Sequence, residues 1–224
     1  MSANPHAVIV VAGGDDVPPS IASELPAGAP VIAADSGVDR ALAIGLAVDV
    51  AIGDFDSVSA VGLEQVAQAG ARVVRHPAAK DATDLELALD EAMALHPSEI
   101  VVVGGHGGRL DHLLANALLL ASPRYATARV TARWGDATVH VLHGGGAVEV
   151  HAEPGALLTL LPGHGPALGV RTDGLRYPLH REDLPAGTTR GVSNVVERTR
   201  VRVRLDEGTL LVVLPGVMDE GAIS

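Results

Sequence analysis

The stretch VVVGGHGGRLDHLLAN, residues 101–116, decides the fold. Three valines run straight into four glycines around His106, and Arg109, Asp111 and His112 then open a helical segment. An apolar run, a glycine break and a helix form the repeating unit of a sheet covered on both faces. Four earlier runs end the same way, in Gly, Asp or Pro: AVIVVAGG (7–14), APVIAADSG (29–37), VDVAIGDFDS (48–57) and ARVVRHP (71–77). Helical spacing lies between them, most clearly where Leu85, Ala88, Leu89, Ala92 and Leu95 recur at three- to four-residue intervals. Strands alternating with helices to about residue 122 predict an α/β domain with a mostly parallel sheet. In such sheets ligands bind outside the C-terminal strand ends, where the Gly and Asp clusters fall.

The pattern changes from about residue 128. Short, often alternating runs such as ARVTARWG (128–135), ATVHVLHGGG (137–146), ALLTLLPGHG (156–165) and TRVRVRLDEG (199–208) are punctuated by Gly and Pro. They predict a C-terminal antiparallel β-sandwich. The expected division is an α/β domain at 1–124 and a β domain at 125–224.

Composition narrows the function. Only 2% of the 224 residues are aromatic, so the core must be built from Val, Leu, Ile and Ala. A net charge of -11 has the wrong sign for a nucleic-acid or anionic-membrane surface. The absence of cysteine excludes disulfides, thiol catalysis and thiolate metal sites. No apolar run reaches the length of a membrane span, and MSANPHAVIVVAGG has no basic start or cleavage site, so a cytoplasmic location is expected.

Two acidic patches carry the chemistry. In AIGDFDS, Asp54 and Asp56 stand two apart at a strand end, so extended backbone would turn both carboxylates to one side. Such a pair can hold Mg²⁺ and leave positions for phosphate oxygens, or can simply cap the next helix. In KDATDLELAL, Lys80, Asp81, Thr83 and Asp84 supply more polar groups than the single cap a helix needs. Lys80 is also the one lysine beside fifteen arginines. Glycines at 104, 105, 107 and 108 can turn backbone N–H groups toward an anion, and Arg109 can add a fork of donors. His112 is a further candidate acid or base.

Read in order, AADSGVDRAL (33–42), DVAIGDFDSV (49–58), KDATDLELAL (80–89), GGRLDHLLAN (107–116), GLRYPL (174–179) and GVSN (191–194) resemble the thiamine pyrophosphokinases. The resemblance implies transfer of the terminal diphosphate of ATP to the hydroxyethyl oxygen of thiamine, with release of AMP. It implies Mg²⁺ on Asp54, Asp56 and Asp84, with Asp35 and Asp81 completing the acidic site. ATP would be held by Lys80, Asp81 and Thr83 on one side and Gly107, Gly108, Arg109, Asp111, His112 and Asn116 on the other. Catalysis would rest on Asp54, Asp56, Asp81, Asp84 and Arg109. Thiamine would meet Asp35 and Asp84, and Ser193 and Asn194 from the β domain, with Tyr177 as stacking platform. A homodimer with substrate at the subunit interface is also implied. Three features depart from the family pattern: Ser36 replaces a second glycine, His106 stands where a small or hydroxyl residue is commoner, and no aromatic directly follows GVSN, where some family members supply a tryptophan. The rival readings are diphosphate transfer to another small alcohol, such as a hydroxymethyl pterin or pyrimidine, and a non-catalytic nucleotide-binding module.

Overall fold

The computed structural model describes residues 6–216. The chain separates into two compact units. The first comprises the residues up to Leu119 together with Val130–Gly135; the second comprises Leu120–Arg129 and the residues from Asp136 onward.

The first unit is built on the valine-rich runs. β1 (Ala7–Val11), β2 (Val31–Ala34), β3 (Val50–Gly53), β4 (Arg72–Arg75) and β5 (Glu99–Val103) pair in parallel in the order β4-β3-β2-β1-β5. β6 (Arg129–Trp134) follows beside β5. Alternation along the strands sorts side chains to two faces. Ile9, Val11, Val31, Ala33, Val101 and Val103 share a core with Val38, Ala41 and Ile44 around α1 (Gly37–Ala43) and with Val66 of α2 (Ala60–Gln68). Val8, Val10, Ile32, Ile100 and Val102 point the other way and are equally buried. α3 (Asp84–Ala94) packs on β1, β2 and β3 and buries Leu85, Ala88, Leu89 and Ala92, four of the five residues picked out by helical spacing.

Strand order reverses at β1, whose neighbours are β2 on one side and β5 on the other. The loops leaving β1 and β5 therefore diverge and open a crevice at the C-terminal edge. α4 (Leu110–Leu120) begins just beyond it.

The second unit is antiparallel. β7 (Ala137–His143), β13 (Glu207–Leu214), β9 (Leu157–Asp173), β12 (Arg200–Arg204) and β8 (Ala147–His151) lie in that order, with β10 (His180–Leu184) and β11 (Asn194–Val195) also on β9. The first part of β9 pairs with β13, and its end pairs with β12. Leu158, Leu160, Leu210 and Val212 thereby meet Val150, Val170, Leu184, Val201 and Val203 in one core.

One boundary differs from the sequence expectation. The run ARVTARWG reads as the first strand of the β half, yet β6 belongs to the first unit. Its backbone joins the β5 loop there, with Gly104 N donating to Arg133 O at 3.2 Å. Alternation identifies a strand but not the neighbour it pairs with.

Candidate active site

Strand ends converge on the crevice with their backbones in unusual conformations. Asp35 follows β2 with φ 46°, and its N–H donates to Ile52 O at 2.9 Å. Gly53 ends β3 with φ 150°, and Phe55 takes φ 61° between the two aspartates. The guanidinium of Arg75 stacks over the Phe55 ring, 5.0 Å from its centroid. Non-glycine residues at positive φ are uncommon, and here they lie where carboxylates are aimed.

One oxygen each from Asp35, Asp54 and Asp56 lies within 4.8 Å of the others. Burial pushes the Asp35 carboxyl above the ordinary carboxylate range; a hydrogen bond from the Ser36 backbone opposes this, and repulsion from Asp84, Asp56 and Asp54 adds to it. Asp35 Oδ1 is buried without a hydrogen-bond partner. An orphaned carboxylate oxygen among three like charges fits the donor set of a hard cation such as Mg²⁺.

Asp84 is the first residue of α3, and Thr83 is the cap, its Oγ1 accepting from Glu86 N at 3.2 Å. That division leaves the Asp84 carboxylate for Lys80, whose Nζ stands 2.7 Å from Asp84 Oδ1 and 3.1 Å from Asp54 Oδ2. The Lys80 hydrogen bond holds Asp54 below the ordinary carboxylate range. Burial works against the Lys80 charge, but its bonds to Asp84 and Asp54 leave it above its ordinary value.

The glycine loop forms the opposite wall. Gly104, Gly105, Gly107 and Gly108 all have positive φ. Asn116, buried on α4, donates from Nδ2 to Gly105 O at 2.8 Å. A cavity of about 720 Å³ lies between the walls, lined by Asp35, Asp54, Lys80, Thr83, Asp84, Gly107, Gly108, Arg109, His112 and Asn116 among others.

Other expected residues stand elsewhere. Asp81 is exposed and does not line the cavity. Asp111 turns to Arg109, accepting at 3.2 Å from Nε and 2.6 Å from a terminal nitrogen; the Arg109 guanidinium pulls its carboxyl down to about 2. Ser193, Asn194 and Tyr177 belong to the second unit. Asn194 Oδ1 accepts from Tyr177 N at 3.1 Å and Val195 N at 2.9 Å, while its Nδ2 donates to Tyr177 O at 2.8 Å. It fixes the Tyr177 backbone, and Tyr177 is 64% exposed.

Sequence reading missed the loop after β1. Ala12, Gly13, Gly14 and Asp15 line the cavity and are tied to the glycine loop. Gly105 N donates to Gly13 O at 2.6 Å, and Asp15 N donates to His106 O at 2.9 Å. A Cβ on Gly13 would fall 2.2 Å from Ser36 Oγ, so Ser36 is accommodated where that glycine stands. The only available signal was a strand ending in GGDD, which also describes an ordinary turn.

Two family models match this chain: "Thiamin pyrophosphokinase, catalytic domain" over residues 24–132 and "Thiamin pyrophosphokinase, vitamin B1 binding domain" over 147–210. The chain belongs to the thiamine pyrophosphokinase family. It is 28% identical over 184 residues to the thiamine pyrophosphokinase of Bacillus subtilis, covering 81% of this chain and 85% of that one. The crystal structure of a thiamine pyrophosphokinase from Bacillus subtilis superimposes with a TM-score of 0.82 at 25% identity, covering 95% of this chain and 100% of that one. That of a thiamin pyrophosphokinase from Geobacillus thermodenitrificans gives 0.79 at 26% identity, covering 96% and 99%. The thiamine pyrophosphokinase catalytic match takes in both walls of the crevice from Asp35 to Asn116, but starts after the β1 loop. Among the described residues no helix is long and apolar enough to cross a membrane.

Proposed function

We infer that this protein transfers the terminal diphosphate of ATP to the hydroxyethyl oxygen of thiamine, giving thiamine diphosphate and AMP. The observation that carries the reading is the meeting of Asp35, Asp54, Asp56 and Asp84 opposite a glycine loop, within the span matched by the catalytic-domain model. The match to a vitamin B1 binding domain in the second unit favours thiamine over another small alcohol.

In the reaction the acceptor oxygen attacks the β-phosphorus in line. The bond from that phosphorus to the oxygen bridging to the α-phosphorus breaks, and AMP leaves with the bond's electrons. The acceptor proton passes to a carboxylate of the cluster. Asp35, Asp54 and Asp56, whose oxygens converge, would hold Mg²⁺. Asp35 takes the place that the resemblance implied for Asp84, whose Oδ1 stands 2.7 Å from Lys80 Nζ. The ion would offset the negative charge of the transferring group. Backbone N–H groups of Gly107 and Gly108 would orient phosphate oxygens, with Lys80 and Arg109 as the cations within reach. Arg109 would first leave Asp111, and its 68% exposed side chain has the room to do so. The carboxylates also suit an acceptor whose thiazolium ring is a cation.

On this reading the thiamine contacts are assigned to residues of the second unit. Ser193, at φ 55° with its N–H bonded to Thr159 Oγ1 at 3.0 Å, and the exposed Tyr177 ring would make the contacts that Asn194 braces. A homodimer is part of this reading. Its support is an exposed stripe on α4, where Leu110, Leu114 and Leu118 are 69%, 57% and 58% exposed at four-residue spacing. Sedimentation as a monomer at assay concentrations would contradict it.

The test is AMP formation by the purified protein with ATP and Mg²⁺, with and without thiamine. AMP should appear only when thiamine is present, and Asp84→Asn should lower the rate by about a hundredfold or more while the protein stays folded. Equal rates without thiamine, or undiminished turnover in Asp84→Asn, would remove the acceptor or the residue from the scheme.

A further inference from the structure

Arginine occurs fifteen times in this chain and lysine once, and that lysine stands inside the carboxylate group. Lys80 Nζ bridges Asp54 Oδ2 and Asp84 Oδ1 at 3.1 and 2.7 Å, with its side chain 13% exposed. Asp54 is also one of the three residues whose oxygens converge as a cation site. An ammonium on Asp54 and a dication among Asp35, Asp54 and Asp56 would be close neighbours of like sign, with little water between them to screen the repulsion.

We propose that Lys80 is a resident counter-ion: its ammonium offsets part of the charge of Asp54 and Asp84 while no metal ion is bound, and the entering metal ion drives it off Asp54 toward the phosphate side of the cavity. The inference rests on the metal role assigned above to Asp35, Asp54 and Asp56. The choice of side chain supports it. Lysine carries a compact charge on a flexible four-carbon stem, whereas a planar guanidinium would wedge between two carboxylates and re-aim less readily. The position supports it too. Lys80 lies in the connection between β4 and α3, and it lines the same cavity as Gly107 and Gly108, so a swing of its stem suffices. The exchange would let the acidic cluster persist without metal and deliver a cation to the nucleotide once metal is present.

A single lysine makes the exchange readable without any turnover. In nucleotide-free wild-type protein, an amine-modifying reagent should label Lys80 slowly, and saturating Mg²⁺ should speed that labelling several-fold. The N-terminal amine serves as the internal control and should not change. In parallel, Mn²⁺ binding to nucleotide-free protein, followed through the free-ion electron paramagnetic resonance signal, should be about tenfold tighter in Lys80→Met, because a competing charge is gone. Metal-free Lys80→Met should melt below wild type, and Mn²⁺ should close the gap. Labelling that Mg²⁺ leaves unchanged, or Mn²⁺ binding that is equal or weaker in Lys80→Met, overturns the proposal. So does the absence of Mn²⁺ binding in both proteins, since nothing would then displace the ammonium. Thiamine-dependent AMP formation is judged separately, so either reading can fail alone.

Discussion

Gly53 shows how closely the site is built. Its φ of 150° is strained for a side chain, and a Cβ there would lie 3.0 Å from Asp84 Oδ1 and 3.3 Å from the Asp35 Cα. Glycine at the end of β3 thus lets three chain segments bring carboxylates together. Gly53→Ala should cost about 1–3 kcal/mol of stability, read from a denaturant melt. It should also cut turnover by about a hundredfold through displaced carboxylates. A variant that loses stability but keeps its rate would show that the placement tolerates a shift. At this scale much was legible from sequence. Asp35, Asp54, Asp56 and Asp84 stand in recognisable strings, and the fold brings them close enough for their like charges to push the Asp35 carboxyl up. Asp81 shares a string with Asp84 but lies on a turn that aims it outward, and side-chain direction in a turn follows no period that sequence can display.

At the scale of elements, α3 divides its polar residues by task. Thr83 caps, Asp84 pairs with Lys80 from the connection before the helix, and Leu85, Ala88, Leu89 and Ala92 bury the helix against the sheet. Thr83→Ala should therefore destabilise by about 1 kcal/mol, seen as a shift in the denaturant midpoint. Because the cap holds Asp84 at the helix start, metal-free melting should register the change as well as turnover; no loss of stability would mean that Asp84 takes over as cap. Helix periodicity made α3 readable. β9 was not, because PGHGP at 162–166 reads as a break, whereas the strand continues through it for 17 residues. Its length comes from partners on both sides, β13 and then β12, and pairing of this kind is a long-range property. β10 was hidden for a similar reason: HREDL looks like a loop, but β9 supplies its hydrogen bonds.

For the whole molecule, the reversal of strand order at β1 places the crevice. The chain enters it five times, after β1, β2, β3 and β5 and at the start of α3. Alternating strands and helices announced such a crevice, and the family resemblance named its chemistry. The bonds between the β1 loop and the glycine loop join residues about ninety positions apart, and no local pattern marks them. The central claim is that this crevice moves two phosphates together to thiamine. The most direct measurement uses ATP labelled separately at the α- and β-phosphorus, incubated with thiamine, Mg²⁺ and the protein, followed by separation of the products. The account predicts β-label in thiamine diphosphate, α-label in AMP, and the two products in equal amounts. Label from the β-phosphorus appearing in ADP, with thiamine monophosphate as the other product, would contradict it.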